Sequence, residues 1–413
     1  MKCRHCGAEL SLPFIDLGSA PTSNAYLTEE ALHAPEKWYP LRVLACTDCW
    51  LVQTEDFADC SELFSADYAY FSSFSTTWLQ HAEHYVKTMS ERFDLGVLSH
   101  VVEVASNDGY LLQYAKQRGI PCLGVEPTAS TAKAARDKGI EVVEEFFGVE
   151  LATRLIEAGK SADLTAANNV LAHVPSINDF VAGFALLLKP AGVATFEFPH
   201  LLKLVQQNQF DTIYHEHFSY LSLTSVQRIF ERNGLIVFDV EELPTHGGSL
   251  RVYAQRSDTG KRQISASVGD LLASEVGAGM TTADFYAGFQ LQADRVKNDL
   301  LSFLIAAKSA GKTVAAYGAA AKGNTLMNYA GIRPDLINFV VDRNPAKKGK
   351  YMPGSRIPII DEAQLAIAKP DYVVILPWNL KDEIIAQLWY VRAWGCQFVV
   401  AVPSISSALG EVV

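Results

Sequence analysis

Long apolar runs are missing from this 413-residue chain. A membrane-spanning helix needs about 20 consecutive apolar residues, and the best candidate, Val181 to Leu188, stops at Lys189. The amino terminus has no apolar signal core either, because Met1-Lys2-Cys3-Arg4-His5 opens directly on polar chemistry. Positive charge is also scarce. Lys and Arg total 35 against 46 Asp and Glu, a formal net charge of −11, which argues against the phosphate backbone of a nucleic acid as the main partner. Charged residues make up 20% of the chain and hydrophobic residues 49%, too little charge for disorder and enough apolar material for several buried cores. At about 150 residues per domain the length suggests two or three domains. The expectation is a soluble, cytoplasmic, multidomain protein with no membrane partner.

Cysteine is sparse, but four of the seven residues are organised. Cys3-Arg-His-Cys6 and Cys46-Thr-Asp-Cys49 are two CxxC pairs about 40 residues apart, a two-knuckle zinc spacing. Each pair sets two thiolates on one tight turn, and two turns can close a tetrahedron around Zn²⁺. Gly7 suits the backbone turn of the first knuckle. Disulfides and a redox CxxC are the competing readings; reducing cytosol disfavours the first, and two copies in one short segment disfavour the second. With Cys3, Cys6, Cys46 and Cys49 filling every position, the metal is expected to be structural. Cys60, Cys122 and Cys396 are scattered singly and read as buried or incidental thiols. A nucleic-acid-binding zinc module would show a basic stripe. The segment from Glu29 to Asp59 instead carries Glu30, Glu36, Glu55 and Asp56 as well, so the knuckles are expected to staple a module too small for a core of its own.

The middle third has the order of a nucleotide-binding unit. Ser99 to Ala105 is a β-branched run broken by Ser106-Asn107-Asp108-Gly109. Tyr110 to Arg118 then has helical apolar spacing, and Cys122 to Glu126 is a second strand ending in an acid. Glu126 lies about 20 residues beyond the turn, where a carboxylate can accept both ribose hydroxyls of an adenosyl group. Further strands are expected at Leu164 to Ala167 and Val193 to Phe198. A dinucleotide needs several glycines for its pyrophosphate, and here Ala105 and Asn107 stand where they would sit. Glu103 and the polar turn suit the amino group and sulfonium of S-adenosylmethionine better.

Several strings occur in one order: Glu103-Val-Ala-Ser-Asn-Asp-Gly109, Gly124-Val-Glu-Pro127, Ala167-Asn-Asn-Val-Leu-Ala-His173, Ile213-Tyr-His-Glu-His-Phe218 and Pro244-Thr-His-Gly-Gly248. With the CxxC pairs, they resemble the three-domain sugar C-methyltransferases over nearly the whole chain. The resemblance implies an α/β architecture: a zinc module (1–65), a class I Rossmann-like methyltransferase domain (66–260) and a second Rossmann-like domain (261–413). It implies S-adenosylmethionine as methyl donor, structural Zn²⁺ and a dTDP-hexose acceptor, C3 being the expected methylated carbon; separately, the expected state is a monomer or weak homo-oligomer. Ala105 departs from the family, whose members usually carry glycine there.

Carbon has no lone pair, so C-methylation requires a proton to leave the carbon beside a ketone. That step calls for a general base and for donors near the carbonyl oxygen, and an imidazole is poised for it at neutral pH. The family's base position falls on His217. Tyr214 and Glu216 match other site positions in the same motif, and all three can act together only if the stretch is a turn, because a strand would split them between two faces. By resemblance Asn169 and His173 are site residues, Tyr70 in Tyr68-Ala-Tyr70-Phe lids the site, and Ser106, Asn107, Asp108, Gly109, Asn168, Glu103 and Glu126 bind the cofactor. A metal site on His215 and His217 is the competing reading of that motif. His246-Gly247-Gly248 is either a tight turn or a substrate contact.

The last third carries a stretch of amphipathic helical character from Asp284 to Ala307. A second strand-turn-helix unit follows, Lys312 to Thr325; the helix after Gly318 offers free N–H groups to phosphate oxygens, and Lys322 adds charge. The spacing Gly318-x-x-x-x-Gly323 is neither a Walker loop nor GxGxxG, and Tyr317, Gly318, Lys322 and Asp342 are expected to bind substrate. A strand over 338–342 ends in Asp342, and another covers 371–376. Resemblance gives this domain the nucleotide end of the substrate. The rival functions are an O- or N-methyltransferase of a small metabolite and an NAD-dependent nucleotide-sugar oxidoreductase.

Overall fold

The computed structural model describes residues 1–57 and 71–407, and its strands form three sheets. The first is antiparallel: β1 (Leu12–Ala20), β2 (Tyr39–Ala45) and β3 (Val52–Thr54), closed by β9 (Ser219–Tyr220) from the middle of the chain. Leu41, Val43 and Ala45 are buried at alternate positions of β2, the face packed on the core, and Leu44 between the last two is buried as well. Because β9 begins two residues after His217, the N-terminal sheet holds one end of the Tyr214–His217 stretch.

The second sheet runs β10-β11-β8-β7-β4-β5-β6. Its members are β4 (Val101–Val104), β5 (Cys122–Val125), β6 (Glu141–Val143), β7 (Ala162–Asn168), β8 (Leu188–Pro199), β10 (Leu235–Leu243) and β11 (Ser249–Arg256). Strands β6, β5, β4, β7 and β8 are parallel, and β11 is antiparallel to both its neighbours. All of β4 is buried, as expected of strands covered on both faces. This is the class I, Rossmann-like sheet that the sequence implies. The helix expected from Tyr110 is shorter, Leu112–Gln117, because the turn through Asn107 and Gly109, both at positive φ, carries on to Leu111.

The third sheet runs β14-β13-β12-β15-β16-β17, comprising β12 (Val314–Tyr317), β13 (Val340–Val341), β14 (Ile359–Ile360), β15 (Tyr372–Ile375), β16 (Gln397–Val400) and β17 (Ser406–Ser407). All but β17 are parallel. The helical stretch expected from Asp284 is two helices, Ala283–Ala287 and Phe289–Ser309, which meet at Gly288, the residue among these with the weakest helix propensity.

The N-terminal sheet packs against both others. Phe14 stacks on Phe289 at 4.6 Å and Trp50 on Tyr286 at 5.8 Å, whereas Cys3, Cys46, Cys49 and Leu51 share a core with Phe180 and Phe184. Strand order reverses between β4 and β7 in the second sheet and between β12 and β15 in the third. Open α/β sheets bind ligands at the carboxyl ends of strands flanking such a reversal.

Candidate active site

The four paired cysteines form one cluster. Cys3 and Cys49 Sγ are 3.5 Å apart, as are those of Cys6 and Cys46, and all four lie within 4.8 Å of one another. A disulfide needs about 2.05 Å. Four thiolates at about 2.3 Å from a tetrahedral Zn²⁺ lie about 3.8 Å from each other, so the separations fit the metal. Gly7, at φ +82°, turns the first knuckle, and its N–H donates to the Cys3 carbonyl; Trp50, at φ +62°, does the same for Cys46. Gln53 donates its amide N–H to Cys3 Sγ at 3.2 Å, an outer-shell bond of the kind that orients a ligand. The thiols would hold Zn²⁺ as a closed structural site, and none of them reaches the cavity described next.

A cavity of about 550 Å³ opens where the second and third sheets reverse, within the roughly 300–1,000 Å³ of small-molecule sites. Its walls come from Ala105 and Asn107 after β4, Glu126 to Thr128 after β5, Asn168 to Ser176 after β7, and Ala320 to Lys322 after β12. Thr212, Tyr214, Glu216, His217, His246, Trp78 and, from the N-terminal segment, Asn24 also line it.

At one end Glu126 accepts the N–H of Asn107 (2.9 Å) and of Thr128 (3.0 Å), which fixes the carboxylate. Asn107 also accepts the N–H of Ser72, tying the helix Thr76–Arg92 to this turn. Glu103, Ser106, Asp108 and Gly109 do not line the cavity. Glu103 is 1% exposed, and burial, with Asp108 and Glu126 adding negative charge, holds its carboxyl well above the usual range against the hydrogen bond of Tyr110. The side-chain amide of Asn168, on the cavity wall, is buried without a partner in normal hydrogen-bond geometry. Buried polar atoms left this way fit a polar ligand. Ser106 and Gly109 act on the backbone: a Cβ at Gly124 would lie 2.4 Å from Ser106 Oγ, and one at Gly109 would lie 2.4 Å from Ile140.

Ala105 lines the cavity at φ +58°, a left-handed conformation that costs an L-residue about 1–2 kcal/mol. Ala105→Gly is therefore expected to raise stability by roughly 1 kcal/mol, read as a shift of the urea midpoint at constant slope.

The other end is a cluster of imidazoles. Residues 214–217 form a turn, with His217 N–H donating to the Tyr214 carbonyl at 2.9 Å, so Tyr214, Glu216 and His217 all line the cavity. The Tyr214 ring lies 4.0 Å and the His173 ring 4.6 Å from the His217 ring, centroid to centroid. His217 Nδ1 is 2.8 Å from the Thr212 carbonyl. A carbonyl accepts only, so Nδ1 carries the hydrogen and Nε2 holds the lone pair. Burial, and His173 beside it, hold this imidazole well below its ordinary pKa, so it is neutral at pH 7. Burial also lowers His173 and His246 to about 4. His246, at φ +55°, accepts from the Asn169 amide at 3.2 Å. His215 turns away and donates to the backbone of Tyr39 and Pro40, which removes the partner that a metal site at His217 would need. Tyr70 and Cys60 lie outside the described residues.

Of the C-terminal residues singled out in the sequence, Lys322 lines the cavity, and Tyr317, Gly318 and Asp342 do not. Asp342 accepts the N–H of Ala319 at 2.7 Å, and the Tyr317 hydroxyl accepts from Gln387. Gly247 and Gly248 serve packing, since a Cβ on Gly247 would meet the Trp378 ring at 2.5 Å and one on Gly248 the Lys203 side chain at 2.7 Å.

Two features escaped the sequence reading. Asn24 donates its side-chain N–H groups to both oxygens of Glu216, at 2.7 and 2.9 Å, across 192 residues. Trp78 lines the cavity and stacks on His81, which bonds Glu197 at 2.7 Å, itself paired with Arg251 at 2.6 Å. Burial alone would raise the Glu197 carboxyl, but His81 and Arg251 outweigh it and bring it below its usual range. A visible clue was the i, i+3, i+7 spacing of Trp78, His81 and Tyr85 along one helix face.

Three family models match in chain order: a zinc binding domain over residues 3–64, a methyltransferase domain over 78–240 and a C-methyltransferase C-terminal domain over 244–403. The C-methyltransferase NovU of Streptomyces niveus is 35% identical over 402 residues, 97% of this chain and 95% of that protein. Among solved structures, magnesium protoporphyrin IX methyltransferase from Synechocystis PCC 6803 with bound S-adenosylmethionine is 17% identical. That match covers 43% of this chain and 79% of that one, at a TM-score of 0.34. An S-adenosylmethionine dependent methyltransferase from Mesorhizobium loti is 15% identical, with 43% and 100% covered and a TM-score of 0.35.

Proposed function

The chain belongs to the C-methyltransferases, and from that membership we propose that it methylates the carbon beside the ketone of a dTDP-linked 4-keto-deoxysugar, C3 being the expected position. The carrying observation is His217, a neutral imidazole on the cavity wall whose Nδ1–H is tied to the Thr212 carbonyl and whose Nε2 is left as base. S-adenosylmethionine, when bound, supplies an electrophilic methyl group. Glu126, fixed by two backbone donors, suits the ribose hydroxyls of its adenosyl part, and Asn168 its polar tail. His217 takes the proton from the carbon acidified by the ketone, so the bonding pair moves into an enolate. Glu216, held by Asn24, stabilises the imidazolium that results, and Tyr214 and Asn169 hydrogen-bond the sugar.

The test is mass spectrometry of a panel of nucleotide-linked 4-keto-deoxysugars incubated with enzyme and S-adenosylmethionine. One added methyl on one panel member is expected, and deuterium should enter the carbon beside the ketone in heavy water without methyl donor. An O- or N-methyltransferase would add methyl without that exchange. The pH profile gives a second check. Protonation removes the lone pair on Nε2, so kcat/KM falls as pH drops through the His217 pKa. Because burial, and His173 beside it, lower that pKa, the acid limb is expected below the ordinary imidazole value near 6.5.

A further inference from the structure

Lys322 belongs to the first turn of the helix Ala321–Tyr329, which starts beyond β12 at the reversal of the third sheet. It is the one Lys or Arg among the described residues that line the cavity, whose walls also carry Glu126, Glu145, Asp179 and Glu216. Its ammonium is held from two sides: it donates to Asn379 Oδ1 at 2.7 Å and lies 4.4 Å from the centre of the Trp378 ring. The Trp378 indole N–H in turn donates to buried Asp211 at 2.8 Å, on the loop that leads to His217. Burial works against the charge on Lys322, and Asp211 works to keep it. Lys322 also bears electrostatically on His217 and His246, which places its field at the imidazole end of the cavity.

We propose that Lys322 hydrogen-bonds the substrate's ketone oxygen and stabilises the enolate made when His217 removes the neighbouring proton. This rests on the proposed function and adds to it the group that answers the base. His217 is a neutral, weakly basic imidazole, so removing a carbon-bound proton demands matching stabilisation of the oxygen that gains charge. An ammonium has three donors, and Asn379 uses one. The N–H groups of Ala321 and Lys322, first-turn amides without intrahelical acceptors, face the same need for an oxygen partner. In the step, the C–H bond breaks, its proton goes to His217 Nε2, and its electron pair forms the carbon–carbon double bond as the carbonyl pair moves onto oxygen against Lys322. On methylation the enolate carbon would form its new bond with the double-bond pair, and the oxygen's pair would return to the carbonyl and leave Lys322; bound S-adenosylmethionine would supply the methyl group and keep the pair of the broken sulfur–carbon bond. A diphosphate anchor is the alternative role for Lys322. Two negative groups call for more than one cation, and a lysine pinned between an amide and an indole face suits one defined atom better.

The experiment compares Lys322→Met, which keeps the stem and removes the charge, with the unmodified enzyme. The measurements are deuterium exchange, at saturation, into the member of the nucleotide-linked 4-keto-deoxysugar panel that the unmodified enzyme exchanges, and affinity for dTDP alone by calorimetry. Exchange should slow about 100-fold or more, with the Kd for dTDP changed by less than about twofold. Exchange within about threefold of the unmodified enzyme overturns the proposal. A tenfold loss of dTDP affinity with saturated exchange intact also overturns it, and assigns Lys322 to the diphosphate. Asn379→Leu keeps the ammonium but frees it to wander, so exchange should slow about 5- to 20-fold at constant dTDP affinity; an unchanged rate there is equally fatal. If the unmodified enzyme itself exchanges no member of the keto-sugar panel, the proposed function fails at its own step, an outcome separate from any effect at Lys322.

Discussion

Turnover of the His217→Asn enzyme is expected to fall by about 10²–10⁴-fold, the usual weight of a general base, while the Kd for S-adenosylmethionine stays within about twofold. Asparagine suits this test because its amide N–H can take over the bond that Nδ1 donates to the Thr212 carbonyl at 2.8 Å. The turn and its neighbours Tyr214 and His173 then keep their support. What asparagine lacks is a basic nitrogen at the Nε2 position, so the loss should appear in kcat and in deuterium exchange together. Single-turnover kinetics with circular dichroism as a folding control would measure it. Turnover near that of the unmodified enzyme would remove His217 from the chemistry, and the base would have to be sought at His173, 4.6 Å away.

Loss of one zinc ligand should have the largest effect on stability. Cys46→Ser is expected to reduce bound zinc from about one per chain to near zero and to cost several kcal/mol, since binding at a structural zinc site contributes directly to folding. Cys46 is fully buried and shares a core with Phe180, Phe184 and Leu221. The knuckles are also clamped from outside: His5 bonds Asn178 at 2.8 Å, Arg232 reaches the His5 carbonyl at 3.2 Å, and Arg228 bonds the Asp48 carbonyl. Asn24, which holds Glu216 by two N–H groups, lies in the same N-terminal module, so loss of zinc is expected to weaken that hold. Metal analysis and thermal melting with and without chelator provide the measurement, and activity should fall before the methyltransferase sheet melts. Unchanged zinc content in Cys46→Ser would refute the site.

The zinc spacing and the strand-turn-helix-acid order from Val101 to Glu126 were legible in one dimension, because each rests on residues near one another in sequence; a turn at Tyr214–His217 followed only on the condition that its three side chains act together. A CxxC turn, a break after a β-branched run and an acid closing the next strand are local arrangements, set by backbone sterics and short-range hydrogen bonds. The helix after Gly288 was less legible, because one glycine in an otherwise helical pattern breaks it only in some surroundings.

The residue string by itself held the two CxxC pairs, the strand-turn-helix-strand order from Val101 to Glu126 and the motifs of a C-methyltransferase. Tertiary structure decided which polar groups meet. Asn24 reaches Glu216 across 192 residues, and Lys322 joins the imidazoles only because the reversals of two sheets open on one cavity. Periodicity records which face of an element is buried; it carries no trace of which distant partner will be buried against it, because that pairing is settled by how three sheets pack.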